Sequence, residues 1–122
     1  MTLGHGDLHA GNYTVQDGRV VIFDWTDAAL TFPALDAALL SRSAGPEHGP
    51  AVLQAYHDAW RDAVPGADVD RALDLARVVN LGYQAVSFDG IYRSQEQKAR
   101  GELAGLSARC LRELITAWRS GR

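Results

Sequence analysis

Asp17-Gly18 stands between two short runs of strand-forming residues, Tyr13-Thr14-Val15-Gln16 and Arg19-Val20-Val21-Ile22-Phe23. A two-residue hairpin connection wants positive φ at both central positions, which Asp-Gly supplies at little cost. Antiparallel strands are therefore expected over about 13–16 and 19–23. The pairing also constrains what flanks it, because a hairpin can return Asp24 to the loop that precedes its first strand. Asp7, Asn12 and Asp24 can then converge although they are far apart in sequence.

After Trp25 the period changes. A loop through Thr31, Phe32 and Pro33 leads to a helix that Pro33 starts and Gly45 ends. Three further helical stretches follow. Val52, Leu53, Tyr56 and Trp60 mark the first, which Pro65-Gly66 closes; Val69, Leu73, Ala76, Val79, Asn80 and Tyr83 mark the second. Leu103, Leu106, Cys110, Leu114 and Trp118, flanked by Leu111 and Ile115, mark the third. Trp60, Trp118 and the Cys110 thiol are expected in the core. The fold class is α+β, a β-hairpin segment over residues 1–36 feeding an α-helical bundle over 37–122.

Composition narrows the function classes. The 122 residues carry 12 basic and 15 acidic side chains, a net charge of -3, so there is no basic stripe of the kind that neutralises nucleic-acid phosphates. The acidity is local: Asp7, Asp17, Asp24, Asp27 and Asp36 face only Arg19 in the first 36 residues. A single cysteine excludes an intramolecular disulfide and fits a reducing cytoplasm. No apolar run is long enough to span a membrane, and the N-terminus lacks the pattern of a signal peptide.

The densest polar constellation is Gly4–Asn12, GHGDLHAGN, followed by Ile22-Phe23-Asp24-Trp25. A carboxylate, a carboxamide and a second carboxylate around one point suit Mg²⁺, a hard ion that keeps positions open for water and phosphate. Phosphoryl transfer needs such an arrangement, with one acid taking the acceptor's proton and the other oxygens holding metal against the nucleotide phosphates.

His5-Gly6-Asp7-Leu8-His9-Ala10-Gly11-Asn12 resembles the catalytic loop of the aminoglycoside phosphotransferase and choline kinase superfamily, which has a protein-kinase-like fold. Ile22-Phe23-Asp24-Trp25 resembles its metal-binding strand end, and Pro33 and Asp36 resemble the proline and aspartate that follow it. Ala10 stands where that family commonly has proline. The resemblance implies that Asp7 is the catalytic base, that His5 organises the loop, and that Asn12 and Asp24 hold Mg²⁺ and, through it, ATP or GTP. It implies a small-molecule hydroxyl acceptor, with Asp27 a candidate for facing a cationic one, and a structural role for Asp36 in tying the loop to the next helix.

The same family places a nucleotide-binding lobe, with a strand lysine, before the catalytic loop. The lone lysine here is Lys98. The expectation is thus part of a kinase C-terminal lobe, weak or inactive alone and prone to self-association through apolar surface left open. Two other readings stand beside it: a non-catalytic remnant that binds a partner, and a metallohydrolase using His5, Asp7 and His9, which would share one face if they formed a strand.

Overall fold

A computed structural model of the chain describes residues 1–96 and 100–120, so Lys98 lies outside the described residues. The chain forms two compact units, Met1–Arg77 and Val78–Arg122.

The first unit opens with two two-stranded antiparallel sheets. Strands β2 (Tyr13–Gln16) and β3 (Arg19–Ile22) form the expected hairpin, with Tyr13 opposite Ile22 and Gln16 opposite Arg19. Asp17 and Gly18 have φ of 51° and 73°, the positive values such a turn demands. Phe23, expected as the last strand residue, falls just outside β3, yet its N–H still donates to the Asn12 carbonyl at 3.1 Å.

The other sheet pairs β1 (Thr2–Gly4) with β4 (Ala29–Thr31). Thr31 is therefore a strand residue and not part of the expected loop. Three-residue strands carry too few positions to display a period, and their pairing joins segments far apart in sequence. Leu3, Val15, Val20 and Leu30 are more than half exposed, so both small sheets present apolar side chains to solvent.

Helix α1 (Ala34–Ala63) is broken at Gly45, whose φ of 75° and ψ of -179° are not helical. Gly45 ends the first helical segment as expected. The next segment starts at once with Pro46, where a missing N–H costs nothing in a first turn. Across the bend Ser41 Oγ donates to the Gly49 carbonyl at 3.0 Å, and a Cβ on Gly49 would press to 2.6 Å from the Ser41 carbonyl oxygen. Only glycine allows that approach.

Helix α2 (Val69–Ser94) is opened by Asp68, whose Oδ1 accepts the Arg71 N–H at 3.1 Å. The core of the first unit is Ala34, Ala37 and Ala38 of α1 against Val69, Leu73 and Ala76 of α2, with Leu53, Tyr56 and Trp60 packed on it. Further along α2, Val79 and Tyr83 are about half exposed, a correction to the expected stripe, whereas Asn80 is buried as that stripe expects and Gln84, outside it, is buried too. At 3.6 residues per turn, Asn80 lies only about 20° around the axis from Val69, while Val79 lies about 80° away.

The second unit holds the later turns of α2 and helix α3 (Leu106–Ser120). Leu114 packs against α2 at Gly82, its Cδ1 at 3.3 Å from where a Cβ would stand. Cys110 is buried as expected, but Leu103 sits in the turn before α3, and Leu111, Ile115 and Trp118 are about half exposed. A unit this small has too little surface to enclose both flanks of an apolar stripe. Among the described residues no helix is long and apolar enough to cross a membrane.

Candidate active site

The loop from His5 to Asn12 is bounded by β1 and β2, and its shape depends on three glycines that admit close neighbours. A Cβ on Gly4 would overlap the Thr31 methyl across the β1–β4 pair. Gly6 has a φ of 85°, and a Cβ there would collide with the Asp27 carbonyl oxygen. A Cβ on Gly11 would stand 2.8 Å from the His9 ring.

Asp36, in the first turn of α1, reaches back and clamps this loop. Its Oδ2 accepts the His5 N–H at 2.6 Å and its Oδ1 accepts the Gly6 N–H at 3.0 Å. One carboxylate thus satisfies two consecutive backbone donors that no strand partner serves. The tie between loop and helix implied for Asp36 is present in these two bonds.

His5 is 2% exposed and engaged at both ring nitrogens. Nδ1 accepts the Asp7 N–H at 3.2 Å, which requires the proton on Nε2, and Nε2 donates to the Phe23 carbonyl at 2.8 Å. The Trp25 ring covers it at 4.8 Å between centroids. His5 therefore acts as a spacer that holds the start of the loop against the end of β3. Its nitrogens are spent on the protein itself, and the segment is a loop with no common strand face. Among the described residues no three His, Cys, Asp or Glu side chains gather as metal ligands, so the His5–Asp7–His9 metallohydrolase reading is corrected.

Asn12 is buried, and its Nδ2 donates to the Asp7 carbonyl at 2.9 Å and approaches Asp7 Oδ2 at 3.4 Å. Both partners are acceptors, which orients the amide. The Asn12 carbonyl meanwhile receives the Phe23 N–H, so the ladder runs one step beyond the hairpin and brings Asp24 next to the residue paired with Asn12. Asp24 has a left-handed backbone, φ 61° and ψ 60°, a conformation that aspartate tolerates better than most residues. Its Oδ1 accepts from Thr26 Oγ1 at 2.8 Å.

Among the described residues, Asn12 Oδ1 and Asp24 Oδ2 accept no hydrogen bond. These are hard oxygen donors with lone pairs to give, the chemistry Mg²⁺ selects. Asp27 is exposed, with its main chain lying against Gly6. A cleft of about 910 Å³ opens elsewhere, between the α1 bend and the start of α2, and none of the loop residues lines it.

The clamp has a titrating neighbour. Burial first, and the Asp36 carboxylate second, push the Tyr56 hydroxyl from 10.0 up to about 12. The folded state therefore keeps a proton that the unfolded chain releases. This contribution to stability is complete below pH 10.0 and is lost as the pH rises towards about 12. Denaturation midpoints should fall across that window, and the fall should shrink in Tyr56→Phe; an unchanged slope in that variant would contradict the assignment.

The hairpin spacing alone brings Asp7, Asn12 and Asp24 within reach of one another. The spacing does not single out the contact between His9 and Asp7, whose Nε2 and Oδ2 stand 3.5 Å apart. The alternation His5, Asp7, His9 carried that signal but was open to a metal reading. A model of the phosphotransferase enzyme family matches residues 1–75, nearly the span of the first compact unit. No curated protein and no solved structure matches the chain.

Proposed function

Because the chain belongs to the phosphotransferase enzyme family, we propose that its catalytic loop transfers the γ-phosphoryl group of ATP or GTP to a hydroxyl of a small molecule, such as an aminoglycoside. The observation that supports this reading is the hairpin closure: Asn12 is pinned to Asp7 by its side-chain amide and to Phe23 by its main-chain carbonyl, so Asp7, Asn12 and Asp24 belong to one neighbourhood.

In this reading the acceptor hydroxyl presents its proton to Asp7 as its oxygen bonds to the γ-phosphorus. The bond from that phosphorus to the β-phosphate oxygen breaks, and the nucleoside diphosphate leaves with the electron pair. Asn12 and Asp24 would hold Mg²⁺, which when bound offsets the charge of the nucleotide phosphates. His5 and Asp36 keep the loop in place without touching substrate. Asp27, exposed beside the loop, is proposed to face a cationic acceptor. The single buried thiol is compatible with a reducing cytoplasm.

Because the chain alone is expected to be weak or inactive, the test supplies it with a nucleotide-binding lobe; turnover should then require a divalent cation, vanish with chelator and return with added Mg²⁺. Asp24→Asn should raise the Mg²⁺ concentration needed for half-maximal rate by about tenfold or more, the loss of one charged ligand in a site of few. Phosphotransfer by that lobe-supplied protein that is indifferent to chelator would refute the metal assignment, and its failure to transfer to any hydroxyl acceptor would refute the function.

A further inference from the structure

His9 lies within the loop but has no part in the chemistry described so far. Its Nδ1 accepts the Gly11 N–H at 3.0 Å, which leaves the ring proton on Nε2. That nitrogen stands 3.5 Å from Asp7 Oδ2, with the two side chains 40% and 43% exposed. The tautomer is thus dictated by a backbone donor two residues away, and the glycine at that position is the residue that lets the ring come so close.

Asp7 Oδ2 is approached from a second side by Asn12 Nδ2 at 3.4 Å. Both donors gather on one carboxylate oxygen, and Oδ1 receives none among the described residues. The Asn12 contact is a long hydrogen bond and the His9 approach, at 3.5 Å, stops short of one, as catalytic contacts commonly do before substrate binds.

We propose that His9 is a positioning residue: its Nε2–H, with Asn12 Nδ2, holds Asp7 Oδ2 so that Oδ1 is the oxygen that takes the acceptor proton. This rests on the phosphotransfer reading of Asp7. A carboxylate free to rotate presents either oxygen in many directions, whereas one held at Oδ2 aims Oδ1 along a single line, and alignment is a large part of the rate in such reactions.

Two substitutions separate this role from a purely structural one. In His9→Asn the side-chain oxygen can still accept the Gly11 N–H in an Asx turn, but the amide ends one bond short of Nε2. In His9→Gln the longer amide can reach Asp7. His9→Asn should keep the melting temperature and both KM values while kcat falls about tenfold, a modest share of what a general base supplies. His9→Gln should keep kcat within about threefold. Unchanged kcat in His9→Asn, or an equal loss in both variants, overturns the proposal.

The contact itself is read without turnover. Long-range ¹H–¹⁵N spectra of the chain at a pH where imidazoles are neutral should show His9 as the Nε2–H tautomer, with Nε2 shifting in Asp7→Ala. The opposite tautomer, or a ring indifferent to Asp7→Ala, overturns the proposal whatever the activity. A chain that shows the contact but transfers no phosphoryl group even when supplied with a nucleotide-binding lobe instead overturns the phosphotransfer reading beneath it.

Discussion

Asp7→Asn is expected to lower kcat for phosphotransfer by about 10²- to 10⁴-fold with little change in KM, because general-base catalysis supplies a factor of that size and the ground-state contacts survive. The asparagine oxygen can take the place of Oδ2, accepting from Asn12 as the carboxylate does and standing where His9 Nε2 approaches it. Its amide nitrogen then occupies the place of Oδ1, where it has no lone pair to receive a proton. The shape of the loop is kept and its basicity removed. Steady-state kinetics with a radiolabelled γ-phosphoryl group measure the effect, and the melting temperature should stay within a few degrees. Near-native turnover in this variant would remove Asp7 from the reaction.

The largest loss of stability is expected at Asp36. In Asp36→Asn one side-chain atom becomes a donor facing the N–H of His5 or Gly6, so one of the two clamping bonds is lost and the other is no longer charge-assisted. Hydrogen bonds to charged groups each contribute about 1.5 to 3 kcal/mol, and a deserted donor adds its own desolvation cost. A total of about 2 to 4 kcal/mol follows, or a fall in melting temperature of the order of 10 °C for a domain of this size. Urea denaturation of the chain and of Asp36→Asn measures it. The variant should also bring the Tyr56 hydroxyl back towards 10.0, since the carboxylate is the second cause of its rise. A loss below about 0.5 kcal/mol, the scatter of ordinary surface substitutions, would show that the clamp is dispensable.

These two sites differ in how far they were legible. Asp7 and Asn12 stand out because their residue types and spacing match a chemical need, and Asp24 joins them through a turn that two residues specify. Asp36 was readable only by resemblance: nothing within its helix says that its carboxylate faces backwards onto two N–H groups some thirty residues away. His9 was visible but ambiguous, since imidazole and carboxylate at alternate positions suit a metal as well as a hydrogen bond. The choice between them fell to Gly11, whose N–H occupies Nδ1. The stripes of α2 and α3 were legible as helices but not as buried faces. Val79, Tyr83 and Trp118 are apolar in composition and half exposed in fact.

What the chain's sequence determined alone is therefore local: a hairpin at Asp17-Gly18, a helical break at Gly45, and a loop at Gly4–Asn12 carrying oxygen donors in a fixed order. Each follows from the energy of a few dihedral angles, which depends on the residue and its immediate neighbours. The tertiary structure decided the β1–β4 pair, the Asp36 clamp, the bond from His5 to the Phe23 carbonyl and which apolar residues are covered. Those depend on closing long loops and on matching each buried donor to an acceptor. The nearest acceptor in space is often remote in sequence, and only the folded chain identifies it.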